Sequence, residues 1–451
     1  MATSILSLPN ELVLEIIKYL EVEVATAPLS ECARGNFKEA YANISHFALT
    51  SKHFVQYAQE ALFHTAIVDV APGTGARNET FLLTRTLASR PELANYIKRV
   101  CVSTSKKPLK TSHVHDHDDQ LEAIKAMVGK LPVCDGVKNF WQKKLAAGAH
   151  THCVLCGVLI SFLRRLEQLC IEDGKTFNGR EWDPTLLHTS ILNNLFGMFD
   201  TPGITSIPGL NGPLNYLRIE GPRLALHDLI SPHLRVLDIS AIYFVSTIGP
   251  LAVAKESPIE EVRIGVDSNI YAEKRPSVLL DKLGSLGISA SLKSLTFYDS
   301  CKDAFDFEQK EYKKVAQFLL RMHELFPELE TLALAQRVVK DMKHIRTHEA
   351  TLSRFRKLKS LTLPCDTFRT RHPPEIPLSW VLPGSLEEIC FCDVHDTETL
   401  NAWLEEIVAA RKDLPMLQSV CFSAVDADDS IVPSVEKLKA ATDVELKVFT
   451  N

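Results

Sequence analysis

Apolar residues recur along this chain in a six-residue unit, apolar-x-x-apolar-x-apolar, that occurs ten times. In order the copies are IKRVCV from Ile97, LEQLCI from Leu166, LNYLRI from Leu214, LRVLDI from Leu234 and IEEVRI from Ile259. They continue as LKSLTF from Leu292, LETLAL from Leu329, LKSLTL from Leu358, LEEICF from Leu386 and LQSVCF from Leu417. The last four positions alternate, so two apolar side chains point to one face of an extended strand and the residue between them to the other. The first apolar residue closes the turn into the strand. One such strand cannot bury its face alone, whereas stacked copies make a parallel sheet with a continuous core behind it. Parallel neighbours need a crossover. Stretches 311–326 (EYKKVAQFLLRMHELF) and 398–414 (ETLNAWLEEIVAARKDL) supply helical ones, with apolar residues three and four apart. The steps between copies run from 20 residues (214 to 234) to 69 (97 to 166), so the array is irregular. The predicted fold class is α/β: a small all-α module over 1–65, then a parallel sheet with helical crossovers over 66–451.

The repeat over 97–422 resembles the leucine-rich-repeat family in its irregular form, without the asparagine that follows the strand in regular members. The resemblance implies a solenoid. The middle residue of each strand faces away from the core, which places Cys101, Cys170, Arg218, Asp238, Arg263, Thr296, Ala333, Thr362, Cys390 and Cys421 in one column on the concave face. Solenoids commonly bind partners there. The column and its flanks supply candidate target contacts at Tyr216, Arg218, Asp238, Glu261, Arg263, Tyr298 and Glu388. Their signs are mixed, so they do not indicate the charge of a target. The four cysteines of the column either line that surface or lie under a loop or terminus.

The N-terminal segment follows a different pattern. In SLPNELVLEIIKYL, Pro9 suits a first helical turn and Glu11 the positive end of the helix dipole. Leu12, Ile16 and Leu20 form a stripe, with Val13 and Ile17 beside it, and a second helix is predicted over 44–63. Two short helices cannot bury both stripes against each other, so some of that surface meets the repeat array, as a cap, or another protein. The segment resembles an F-box, at Leu8-Pro9, Glu11-Leu12, Ile16, Ile17, Leu20, Leu49-Thr50-Ser51-Lys52, Phe54 and Ala61-Leu62-Phe63. That resemblance implies docking onto a Skp-type adaptor, and through it a cullin, with contacts at Leu8, Pro9, Leu12, Ile16 and Leu20, and at Leu49 and Phe54. An F-box followed by irregular leucine-rich repeats resembles many fungal F-box proteins. The implied role is substrate recognition in a ubiquitin ligase, with a protein target of unknown identity. A repeat scaffold without a ligase is the alternative. Stretch 21–43 is longer than the usual F-box link and is expected to be a loop or a short extra helix.

Composition narrows the remaining options. The chain has 451 residues, 45% of them apolar, with formal net charge −6, so nothing draws the whole molecule to nucleic acid or an anionic membrane. Arg354, Arg356, Lys357 and Lys359 form one local basic cluster, read as a solvated face rather than a phosphate track. No basic n-region precedes the first apolar stretch, and the longest apolar run, 153–162, is half of what a bilayer needs. A cytoplasmic or nuclear location is expected, with the eleven cysteines reduced. HTHCVLCG at 150–157 has the Cys-x-x-Cys form, but no second Cys/His pair follows at zinc-site spacing. Cys153 and Cys156 fall on an apolar stripe with Phe140, Trp141, Leu145, Ala149, Ile160 and Leu163, read as one helix with the thiols packed mid-helix. HVHDHDD at 113–119 reads as a solvated loop. Phosphate-loop, nucleophile-elbow and His-Glu-x-x-His motifs are absent, so the chain is read as non-catalytic, with no cofactor and no metal.

Overall fold

Every one of the ten repeat copies forms a strand, and each strand pairs in parallel within its part of the chain. The computed structural model describes residues 9–20, 31–69, 79–103, 118–146, 151–172, 207–219, 232–240, 257–266, 276–299, 313–334, 352–365, 378–394, 397–424, 436, 440 and 443–450. The chain divides into two compact units, Met1–Asn215 and Tyr216–Asn451. The sequence-predicted boundary at 65/66 falls inside the first unit, one residue into the first strand.

The first unit begins with three helices, α1 (Asn10–Leu20), α2 (Glu31–Thr50) and α3 (Lys52–His64). Strand β1 (Thr65–Asp69), α4 (Glu79–Ser89), β2 (Arg99–Ser103), α5 (Asp118–Lys130), α6 (Asp135–Ala146), α7 (Thr151–Phe162) and β3 (Gln168–Glu172) follow. The single helix expected over 44–63 is two helices. Ser51 interrupts it in an extended conformation (φ −160°, ψ 142°) and caps α3, its hydroxyl accepting from the His53 amide. Upstream, α2 reaches back to Glu31, so much of the long link is helical. Likewise the helix expected across the Cys-x-x-Cys stretch is two helices, ending at Ala146 and restarting at Thr151. Cys153 therefore lies in the first turn of α7, while Cys156 stands at its middle. A short helix, Pro208–Asn211, backs closely onto α7: a Cβ on Gly209 would stand 2.2 Å from the Ile160 carbonyl oxygen, so only glycine fits.

The second unit carries β4 (Tyr216–Ile219), β5 (Val236–Ser240), β6 (Glu261–Val266), β7 (Ser294–Asp299), β8 (Thr331–Ala333), β9 (Ser360–Pro364), β10 (Glu388–Val394), β11 (Ser419–Ala424) and β12 (Glu445–Thr450). Neighbours in the sheet are neighbours in sequence. The inward residues Leu217, Leu237, Val262, Leu295, Leu332, Leu361, Ile389 and Val420 are all fully buried and lie in register from strand to strand. Crossover helices seal that face. Phe318 of Lys313–Leu325 meets Phe297 edge-on at 5.7 Å, and Trp403 of Thr397–Ala410 meets Phe391 at 4.6 Å. The result is a mixed α/β repeat fold, a parallel sheet with helical crossovers.

From Glu260 to Lys359 the second residues of successive copies answer one another. The carbonyl of Glu260 accepts from Lys293 and Ser294 amides, that of Lys293 from Glu330 and Thr331, and that of Glu330 from Lys359 and Ser360. The side chains alternate in sign along this row, with Lys293 and Glu260 at 3.4 Å and Lys359 and Glu330 at 2.8 Å. Lys357 pairs with Glu328 two positions earlier. Two of the four cations in the basic cluster are thus matched by glutamates. These exposed pairs add little stability, but a one-step slip of the register would break the backbone pairs behind them.

Phe391 stacks on Phe422 at 5.5 Å and contacts Trp403, and is fully buried. Phe391→Ala is expected to lower unfolding free energy by about 3–5 kcal/mol, read from urea denaturation of the full chain.

Candidate functional site

Three places gather the residues singled out from the sequence. The first is the N-terminal module. Val13 and Ile17 of α1 are buried with Ile44, Phe54, Ala58 and Ala61. The neighbouring stripe is the outer one: Leu12 is 49% exposed and Ile16 half-buried. Leu49, at the end of α2, is 83% exposed. Pro9 is exposed, and its carbonyl accepts the Leu12 and Val13 amides, starting the helix. Leu8 lies outside the described residues, and so does the side chain of Leu20. Phe54 is a correction. It is 1% exposed and stacked on Phe47 at 4.5 Å, so it belongs to the module's own core and cannot be an adaptor contact. Leu14 and Val55 are also exposed, and the sequence reading omits them. The signal was present: once Val13 and Ile17 are taken as the inward pair, Leu14 falls off the buried face.

The second place is on the outward face of β4–β7. Register puts Arg218 beside Asp238 and Asp238 beside Arg263. The Tyr216 hydroxyl donates to Asp238 Oδ2 at 3.0 Å, and Tyr298, two strands away, donates to Asp238 Oδ1 at 2.8 Å. Arg218 stands 3.7 Å from the same carboxylate, and Arg263 donates to Glu261 Oε1 at 2.6 Å. Tyr298 reaches Asp238 by lying over β6. A Cβ on Gly265 would come within 3.0 Å of its ring, so the glycine makes the crossing possible. Six of the seven candidate target contacts are thereby brought together. However, Tyr216, Arg218 and Asp238 are 4%, 3% and 2% exposed. They correct the expectation of open target contacts, because the cross-strand hydroxyls close over the carboxylate and its guanidinium partner. Glu261, Arg263 and Tyr298 remain partly exposed. Burial pushes the Asp238 carboxyl above the usual aspartate range, against the opposing pull of Arg218, the two tyrosine hydroxyls and Arg263.

The third place surrounds the seventh candidate, Glu388 on β10. It accepts from Ser360 and Ser419 hydroxyls at 3.2 Å each and from the Cys421 thiol at 3.3 Å. Cys390 and Cys421 are register partners. Burial first, then the hydrogen bond and charge of Glu388, push the Cys421 thiol up to about 12, and burial raises Cys390 as well. These thiols are therefore protonated at neutral pH. In the first unit Cys101 and Cys170 are likewise register partners, and both are buried. Cys156 is buried within α7. Among the described residues no group of three or more His, Cys, Asp and Glu is placed to hold a metal ion. Residues 113–117 of the histidine-rich stretch lie outside the described residues. No described helix is long and apolar enough to cross a membrane.

Asp238 binds a proton more readily folded than unfolded. Its contribution to stability is complete below the ordinary aspartate value and is lost as pH rises to its folded pKa. Unfolding free energy is expected to fall with rising pH just above the ordinary aspartate range, and Asp238→Asn should remove that slope, measured by denaturation across pH. At the third place, Glu388→Gln should lower the Cys421 pKa from about 12, read as faster alkylation of Cys421 at fixed pH by peptide mass mapping.

No family model matches this chain, and no curated protein matches it. Among solved structures, the leucine-rich repeat-containing protein LegL7 from Legionella pneumophila aligns over 63% of this chain and 84% of its own, at 14% identity and a TM-score of 0.38.

Proposed function

We propose that this chain is the substrate-recognition subunit of a Skp–cullin–F-box type ubiquitin ligase. The observation that carries the reading is the apolar surface left by the N-terminal helices after their own core is filled. Leu12, Leu49 and Val55 are all exposed, while Val13, Ile17 and Phe54 already close the module's interior. An exposed apolar set of this kind fits a partner's apolar groove. Its residues include Leu12 and Leu49, two positions at which the sequence resembles adaptor-contacting positions of F-box proteins. Pro9 and Ile16 border them and join the contact.

In this role the chain performs no chemistry itself. The N-terminal helices bind the adaptor, and the repeat sheet holds a protein target so that a ubiquitin-bearing enzyme acts on it by proximity. The partly exposed Glu261, Arg263 and Tyr298, braced by the buried Asp238 network beneath them, offer the target a rigid polar patch. The assembly would work in the cytoplasm, the nucleus or both.

The test is co-purification of a Skp-type adaptor with the full chain and with a Leu12→Asp, Leu49→Asp double variant. Both positions are exposed, so the variant should keep its fold and its urea midpoint. Burying two carboxylates in an apolar groove costs several kcal/mol, so binding should fall at least about a hundredfold. Equal adaptor capture by both chains, or capture by neither, would leave a repeat-based interaction scaffold without a ligase.

A further inference from the structure

Two cysteines of the outward column occupy directly opposed positions on neighbouring parallel strands. Cys390 of β10 is in register with Cys421 of β11, flanked by Ile389 with Val420 and Phe391 with Phe422. Adjacent strands lie about 4.8 Å apart, and a disulfide bridges Cα atoms about 4.4–6.8 Å apart. Both side chains leave the same face of the sheet, because opposed residues share a face. Beneath them the stacked rings of Phe391 and Phe422, 5.5 Å apart and 18° from parallel, hold the two strands at that spacing. Both thiols are free.

Cys421 is 3% exposed, and access to Cys390 alone sets this pair apart from its counterpart. Cys101 and Cys170 have the same register relation, but they are 1% and 4% exposed. Cys390 is only half-buried, so a reagent in solution reaches it first. We propose that Cys390 and Cys421 form a redox-responsive cross-strand dithiol that closes to a disulfide in the presence of a small-molecule disulfide oxidant such as oxidised glutathione.

The step balances as thiol–disulfide exchange. Cys390 sulfur attacks the oxidised glutathione, forming a mixed disulfide and releasing one glutathione thiol. Cys421 sulfur then attacks the Cys390 sulfur, forming the intrachain bond and releasing the second glutathione. The two cysteine thiol protons end on the two released glutathione sulfurs, and two electrons pass to the oxidant. The carboxylate of Glu388, which accepts from the Cys421 thiol, keeps that thiol protonated, and Lys447 of β12 is the cation that opposes it. Closure is therefore slow at neutral pH and accelerates as pH rises. Once closed, the bond ties β10 to β11 across the crossover helix Thr397–Ala410.

The experiment exposes the folded full chain to oxidised glutathione, blocks remaining thiols, digests without reduction and maps the products. The expected product is a peptide pair linked through Cys390 and Cys421, with a mass lower by two hydrogen atoms than the sum of its reduced parts. Cys101 and Cys170 should remain blockable thiols after subsequent unfolding. In a Cys421→Ser chain, Cys390 should carry trapped glutathione instead. Cys390 found linked to Cys392, a stable glutathione adduct on Cys390 of the unaltered chain, or both thiols unchanged when the urea-unfolded chain oxidises would each overturn the proposal.

Discussion

Parallel register across a row of buried aliphatic residues is the constraint on which the second unit rests. Leu237, Val262, Leu295, Leu332, Leu361 and Ile389 are fully buried, and each is aligned with the next from strand to strand. No strand could keep its apolar pair from water alone. A slip of one residue would turn this row outward and the polar column inward. The polar column is therefore a consequence of core packing. Tyr298 reaches Asp238 only because β5, β6 and β7 keep step and Gly265 leaves room between them. Cys390 stands opposite Cys421 for the same reason.

The ten strands were legible because two large apolar residues flank a smaller or polar one in each copy. The two strands that escaped notice break that pattern. In β1 the first inward residue is Ala66, and the strand begins directly after α3, so it reads as a helix end. In β12 the position that should hold the turn-closing apolar residue is Asp443, which pairs with Arg411 at 2.8 Å. That pair lies at the surface, with Asp443 83% exposed, and the buried residue of this turn is the next one, Val444. Helix breaks were less legible, because hydrophobic periodicity runs on through Ser51, where a local hydroxyl cap ends one helix and starts another.

The site was half legible for a related reason. Spacing alone placed Arg218, Asp238 and Arg263 in one column. Whether a residue of that column is exposed depends on long side chains arriving from other strands, as with Tyr216 and Tyr298 over Asp238, and no local pattern encodes that. In α1 the ambiguity is angular. Leu12 and Val13 are adjacent on the wheel, and only contacts with Ile44 and Phe54 decide that Val13 turns inward. Leu12 is left outside, and Phe54 is spent on the core. The chain thus presents two unlike surfaces. One is apolar and shallow, on short helices. The other is polar, nearly charge-balanced and braced from below, on a sheet.

Adaptor docking through the first of these surfaces is the central claim, and hydrogen–deuterium exchange of the full chain with and without a Skp-type adaptor tests it most directly. Docking should slow exchange in α1 and around the α2–α3 junction on adding adaptor, with β4–β12 unchanged. Unchanged exchange in both helical segments at saturating adaptor, or protection confined to the strands, would contradict it.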